Sequence, residues 1–216
     1  MKSHLFFKIS IFYNLKYISL SFFCFSAISI YKWYNNIAIA IYTFEPGQDG
    51  NIAALRNVII VRWFYFMKND IYFMEVALKE AKKAYKIGEV PVGCVLVDQN
   101  DKIIAKAYNK KEKLHDVCGH AEILCIKKAS KKIGDWRLND LTLYVTLEPC
   151  LMCSSAIIQS RIKRIVFGAY EPNTGAVLSR IHAFKVENSS CLVDGGILEE
   201  DCKKIVQDFF KEKRKK

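Results

Sequence analysis

Two short segments hold residues whose types and spacing could do metal chemistry: His120-Ala121-Glu122 and Pro149-Cys150-Leu151-Met152-Cys153. Cysteines three apart on a helix share a face, so both thiolates can reach one ion. A helix N-terminus carries partial positive charge, which lowers a thiol's pKa and favours the thiolate. One imidazole and two thiolates form a donor set that suits Zn2+. With His120, Cys150 and Cys153 as ligands, the fourth position stays open to water, as in a catalytic rather than a structural zinc site. Zinc lowers the pKa of such a water to about 7. Glu122 stands just past His120 and can point into the site without ligating, so it can carry a proton.

Two plainer readings compete. A C-x-x-C can be a redox pair, although nothing else in the chain supports one. A structural zinc wants a fourth protein ligand, and Cys118, close before His120, is the nearest. Cys94, Cys125, Cys191 and Cys202 read as small buried core residues. Between His120 and Pro149 lie 28 residues, room for one helix, a loop and one strand, so the two half-sites can meet.

The elements that must position these residues are legible around them. Ile71, Met74, Leu78, Ala81 and Tyr85 recur at helical spacing and predict an amphipathic helix that starts naturally at Met67 and ends before Gly88. Val92 to Val97 and Lys102 to Tyr108 read as strands, with Gln99-Asn100-Asp101 as the turn of an antiparallel hairpin. Asn109 to Gly119 is a polar loop. Ala121 to Ile133 is a helix closed by Gly134. Leu141 to Thr146 is a strand buried on both faces, and Cys150 to Ser160 is a helix with Pro149 at or just before its first turn. Arg164 to Phe167 is another strand. Tyr170 to Ser190 has no clear period, and Glu199 to Lys213 is a helix rich in lysine. Strands alternating with helices imply a three-layer α/β sandwich with a mixed sheet.

Composition bounds the rest. The chain has 216 residues, 51% of them hydrophobic and 25% charged, which excludes a disordered or collagen-like chain. Eight cysteines are too sparse for a disulfide scaffold. A net charge of +11 favours a polyanionic partner, nucleic acid or an anionic membrane surface. Basic residues cluster at Lys127, Lys128, Lys131 and Lys132, at Arg161, Lys163 and Arg164, and from Lys203 to Lys216. Lysines in such runs could track phosphates. Ala156, Ile157 and Ile158 make a dense apolar surface.

The composition breaks near Met67. Of 28 aromatic residues, 17 lie in residues 1–66. Tyr17 to Tyr31 is a run of 15 residues without charge, short of the ~20 that span a bilayer as a helix. Residues 1–66 therefore read as a hydrophobic, basic extension: a processed leader or over-extended reading frame, a membrane anchor, or an ordered accessory segment. Residues 67–216 read as the catalytic domain.

H-x-E followed by P-C-x-x-C is the zinc deaminase signature. Over about residues 70–212 the chain resembles the bacterial-type tRNA-specific adenosine deaminases. The resemblance is carried by Glu89-Val90-Pro91-Val92-Gly93, Asn109, His120-Ala121-Glu122, Leu143 to Cys150, Met152-Cys153, Ser160-Arg161-Ile162, Val166 to Ala169, Thr174-Gly175-Ala176, Gly195 to Leu198 and Asp208-Phe209-Phe210. It implies the cytidine deaminase-like fold, a three-layer α/β/α sandwich with a mixed five-stranded sheet. It also implies one zinc per subunit, a homodimer, and hydrolytic conversion of the wobble adenosine of a tRNA to inosine. Hydroxide generated at the zinc would attack C6, with Glu122 as proton shuttle. Asn109 matches the residue that hydrogen-bonds the base, and Val90 an apolar pocket position. Ala121 and Glu148 fall at backbone or cap positions near the water and base. Phe209 and Phe210 fall on the helix nearest the anticodon stem.

The chain departs from the family pattern at Val117-Cys118-Gly119, at Ser155, at Glu171 where an Asp contacts the nucleic acid backbone, and at Asn173. Cys118 beside the site is expected to make it oxidation-sensitive. A deaminase of free bases or nucleotides, or a silent zinc subunit that only presents RNA, are the rival readings. The expected location is cytoplasmic, or an organelle if residues 1–66 are a targeting sequence, with membrane association only if that extension is retained.

Overall fold

Short apolar runs, most of them buried on both faces, build one mixed sheet after residue 69. Its strands are β5 (Gly93–Val97), β6 (Ile103–Tyr108), β7 (Thr142–Leu147), β8 (Arg164–Ala169) and β9 (Leu192–Gly195). The order is β6-β5-β7-β8-β9. β5 pairs antiparallel with β6 and β7, whereas β7, β8 and β9 run parallel.

The structure is a computed structural model that describes side chains for residues 69–215 and, before them, only the backbone of four strands and the start of a helix. The chain divides into two units, Met1–Lys68 and Asn69–Lys216. In the first, β1 (Phe7–Tyr13), β2 (Lys16–Phe22), β3 (Ala27–Trp33) and β4 (Asn36–Tyr42) form a sheet in the order β2-β1-β3-β4. The leader, anchor and reading-frame expectations for residues 1–66 concern side chains and processing that lie outside the described residues. Among the described residues, no helix is long and apolar enough to cross a membrane.

Strand side chains alternate between faces, and both faces of this sheet are covered. Cys94, Leu96, Leu143, Val145, Ile165 and Phe167 face a core closed by helices α3 (Ala121–Ile133), α4 (Leu151–Gln159) and α5 (Ala183–Val186). Val95, Val97, Tyr144 and Val166 face the other core, closed by α1 (Val58–Lys86) and α6 (Glu199–Lys213). These are the three expected layers. The ends of α3 and α6 fall where the periodicity puts them.

Four details differ from expectation. Helix α1 begins at Val58 and passes through Met67 without a break. Its buried stripe is Phe73, Met74, Ala77, Ala81 and Ala84, while Ile71, Leu78 and Tyr85 are half-buried. The reason is close approach: a Cβ on Gly93 would collide with the Ala77 carbonyl and the Ala81 nitrogen, so the helix turns its small Ala77 and Ala81 to the strand there. The loop after β6 contains a single short helix, α2 (Lys111–Leu114), and the stretch after β8 contains α5. On α4, Ile157 is fully buried in the core, so the apolar surface expected there is reduced to half-buried Ala156 and Ile158.

The lysines of α3 also have a role the charge pattern did not indicate. Lys128 and Lys132 donate to the carbonyls of Lys106 and Ile104 at 2.9 and 3.0 Å. Those carbonyls belong to edge strand β6, whose outer hydrogen-bonding groups invite pairing with another chain unless covered. Arg164 is likewise drawn inward, bidentate to Asp70 and bonded to Asp194. These cations are therefore engaged within the fold.

Candidate active site

The site lies where several strands end together. β6 and β7 both run antiparallel to β5, so Asn109 after β6 and Glu148-Pro149-Cys150 after β7 emerge at the same end of the sheet. The Lys110 N–H donates to the Gly119 carbonyl at 2.8 Å, which brings the segment before His120 back beside Asn109. Ligand sites in α/β sheets gather at such carboxyl ends.

His120 is the N-cap residue of α3 and Cys150 that of α4, each with extended backbone. Cys153 follows one turn into α4 and is buried. One ligand atom from each of His120, Cys150 and Cys153 lies within 4.8 Å of the others. His120 Nδ1 stands 3.7 Å from Cys150 Sγ and 3.4 Å from Cys153 Sγ. Zn–S bonds of about 2.3 Å and Zn–N bonds of about 2.05 Å at tetrahedral angles put N and S roughly 3.6 Å apart. The donor set and its spacing both fit zinc. Cys118 is not part of the cluster; its sulfur rests 3.8 Å from Met152 Sδ. With His120, Cys150 and Cys153 as the set, the catalytic arrangement is favoured over the four-ligand structural one. Cys94, Cys125 and Cys202 are buried core residues as expected, and Cys191 is half-buried.

The electrostatics are those of donors crowded for a cation. The Cys150 thiol is held down to about 4, mainly by its hydrogen bond with Cys153 and further by His120. Cys153 is pushed well up by that same bond and by burial. His120 is raised by its bond with Cys150. Glu122 is 4% exposed, and burial pushes its carboxyl up to about 7. It feels His120, Cys150 and Cys153 yet stands outside the three-residue cluster. Ala121, in the first turn of α3, is fully buried.

The remaining expected residues divide. Asn109 is buried, and its Nδ2 donates to Glu89 Oε2 at 3.2 Å. Val90 is half-buried in a tight turn in which the Val92 N–H reaches the Val90 carbonyl at 2.8 Å. Glu148 turns its carboxylate to the loop that follows β8. It accepts the N–H groups of Glu171, Val177, Leu178 and Ser179 at 2.7 to 3.1 Å, and the Ser179 hydroxyl. Burial would raise this carboxyl, but the Ser179 hydroxyl and the amides hold it below its ordinary value. A Cβ on Gly175 would strike the Glu148 carboxylate, so glycine is required there. Glu171 accepts the Asn173 N–H at 2.9 Å, turning its carboxylate into its own loop. Phe209 is buried and packs edge-on against Tyr85 of α1, whereas Phe210 is 45% exposed. Of that pair, Phe210 is the one with a free face.

Sequence reasoning missed one residue beside the site. Glu89 is 2% exposed and holds both Asn109 and the start of α2. Its signal was a lone carboxylate between a helix end and the apolar Val90-Pro91-Val92.

The chain matches the "cytidine and deoxycytidylate deaminase zinc-binding region" over residues 67–169. It is 46% identical over 152 residues to the tRNA-specific adenosine deaminase of Bacillus subtilis, covering 69% of this chain and 94% of the relative. It is 45% identical over 147 residues to that of Haemophilus influenzae, covering 67% and 85%. A solved structure from work on A-to-I editing by tRNA:A34 deaminases superposes with a TM-score of 0.60 at 42% identity, covering 62% of this chain and 98% of that one. With a relative of that identity matched over nearly its whole length, and with His120, Cys150, Cys153 and buried Glu122 assembled as described, the chain belongs to the family of tRNA-specific adenosine deaminases.

Proposed function

We propose that this protein hydrolyses the wobble adenosine of a tRNA anticodon loop to inosine, with water consumed and ammonia released. The observation that carries the reading is the cluster of His120, Cys150 and Cys153 with buried Glu122 beside it but not in it. A zinc ion held by those three residues supplies the Lewis acidity that ionises water near neutral pH. Glu122 takes one proton of the attacking water and gives it to the purine ring nitrogen as the C6–O bond forms. It then takes the remaining proton of that oxygen and passes it to the amine, and the C6–N bond breaks to release ammonia and leave the C6 carbonyl.

For the target adenosine to reach the ligands it must leave the anticodon stack. Asn109 hydrogen-bonds the base and Val90 walls the pocket. Ala121 offers backbone at the start of α3. Glu148 acts at one remove, by fixing the loop that crosses Cys150. Lys213 lies beside Gly88, at the segment leading to Val90, so the basic end of α6 borders the pocket residues. Phe210, exposed on α6, and the tail lysines would meet the anticodon stem. We read the active form as a homodimer, supported by exposed Leu151 and half-buried Ile158 on α4. The location is cytoplasmic, or an organelle if residues 1–66 target it. A chloroplastic tRNA(adenine(34)) deaminase of Arabidopsis thaliana is 43% identical over 159 residues, although this chain covers 12% of that protein.

The test is direct. Transfer RNA incubated with the zinc-loaded protein should show adenosine-to-inosine change at the wobble position, and free adenosine or cytidine should not be converted. Turnover of free bases with tRNA untouched would overturn the reading.

A further inference from the structure

The buried carboxylate of Glu89 has no part in the chemistry described so far. Its two oxygens accept three hydrogen bonds. The Lys113 N–H reaches Oε1 at 2.7 Å, and the Glu112 N–H and Asn109 Nδ2 reach Oε2 at 3.3 and 3.2 Å. All three donors belong to the segment after β6. That segment closes on itself through the Lys110–Gly119 backbone bond, so its two ends are Asn109 and His120.

A carboxylate accepts and does not donate. Asn109 must therefore turn Nδ2 toward Glu89, since the reverse orientation would set two oxygens face to face. An amide with no such partner can swap its oxygen and nitrogen by a half-turn about its last bond, a soft twofold torsion. Glu89 removes that choice. The Oδ1 atom and the second Nδ2 proton of Asn109 are then fixed in direction. The rim of adenine presents donors and acceptors in a set order, so an amide turned the wrong way meets the wrong partner.

We propose that Glu89 is a positioning residue for base binding: it locks the orientation of the Asn109 amide while anchoring the loop that delivers His120. This rests on the reading of Asn109 as the base contact. Its effect is on binding of the base, and the proton transfers of Glu122 proceed without it.

The experiment compares wild type, Glu89→Gln, Asn109→Ala and the double variant, all full-length and zinc-loaded, on an anticodon stem-loop RNA with adenosine at the wobble position. Glutamine keeps the volume. With its oxygen on the Lys113 amide, its NH2 faces Asn109 and turns that amide round. The expected result is a KM raised about tenfold in Glu89→Gln, the loss of one base hydrogen bond, with kcat within about twofold. Zinc content stays unchanged. Asn109→Ala raises KM to a similar degree, and the double variant is no worse than Asn109→Ala, because residues that act through one contact are not additive. Additive losses carried in kcat and melting temperature would make Glu89 merely structural and overturn the proposal. If Asn109→Ala leaves KM unchanged, the base-contact reading fails and the proposal with it. If Asn109→Ala raises KM and Glu89→Gln does not, positioning alone is wrong.

Should Glu89→Gln not fold, nuclear magnetic resonance on selectively asparagine-labelled wild type decides. One Asn109 side-chain amide proton should exchange slowly with solvent and its twin fast. Equal exchange of both would overturn the proposal.

Discussion

Ser179 gives both its backbone N–H and its hydroxyl to the carboxylate of Glu148, the N–H at 2.8 Å. Val177, Leu178 and Glu171 add their amides to the same two oxygens. The loop so gathered carries Gly175, which bridges to Cys150, and Ala176, whose N–H reaches the Pro149 carbonyl at 2.9 Å. The carboxylate of Glu148 thus fixes the loop that crosses Cys150.

Replacing Glu148 by Ala should orphan these amides at a cost of about 3–5 kcal/mol, lowering the melting temperature by roughly 10 °C. Zinc affinity should fall about 10–100-fold, as it does when groups that orient metal ligands are removed. Calorimetry and a competing chelator measure the two effects. Unchanged affinity would mean that the loop does not position Cys150.

The same carboxyl predicts a pH dependence. Its folded-state pKa lies below its ordinary value. Its contribution is therefore full above the unfolded pKa of about 4.3 and is lost as pH falls through the folded value. Glu148→Gln should flatten the acid limb of the stability curve below about pH 5 while leaving the slope at neutral pH alone. Urea midpoints from pH 3 to 8 would show it.

Glu122 and the ligands separate chemistry from metal binding. Glu122→Ala should keep one zinc per chain and lower kcat by about 100- to 10,000-fold, the range for a positioned acid–base group. Cys150→Ala should lose the metal and the activity together. A Glu122→Ala variant that still forms inosine at the normal rate would remove Glu122 from the mechanism.

The basic residues are not equivalent. Deleting residues 211–216 removes Lys211, Lys213, Arg214, Lys215 and Lys216. It should weaken RNA binding and reduce the salt slope by roughly 0.7–0.9 for each phosphate that the tail neutralises. Lys128→Met and Lys132→Met should leave that slope unchanged, because both side chains already cap carbonyls of β6. Their removal should instead promote self-association through the uncovered edge. Filter binding at several salt concentrations, with light scattering, distinguishes the two sets.

Asp70 and Arg164 supply a control far from the chemistry. Arg164 meets Asp70 through both terminal nitrogens at 2.8 Å, and the Tyr144 hydroxyl donates to the same carboxylate at 2.7 Å. Arg164 opens β8, at the opposite end of that strand from the site. Asp70→Ala should cost about 1–3 kcal/mol by removing the bidentate partner of half-buried Arg164, which keeps Asp194. Zinc content and kcat per folded molecule should stay at the wild-type level.

Much of this was readable along the chain. His120, Cys150 and Cys153 declared themselves because ligand chemistry depends on residue type and on short spacings. The ends of α3 and α6 and the strands β5 to β8 followed from hydrophobic period, which is a local property. β9 was not legible: it is four residues long, and its side chains are exposed or half-buried. Only the folded chain could show where the carboxylates of Glu89 and Glu148 point, since their partners lie 20 to 31 residues away. Asp70 finds Arg164 across 94 residues. Charge pattern likewise does not distinguish Lys128, which bends onto an edge strand, from Lys127, nor aromatic spacing a buried Phe209 from an exposed Phe210. Spacing along a backbone sets which side chains share a face of one element. Which groups lie opposite that face depends on how distant elements pack, and in this protein that packing sets Glu89 against Asn109 and ties the loop held by Glu148 to Cys150.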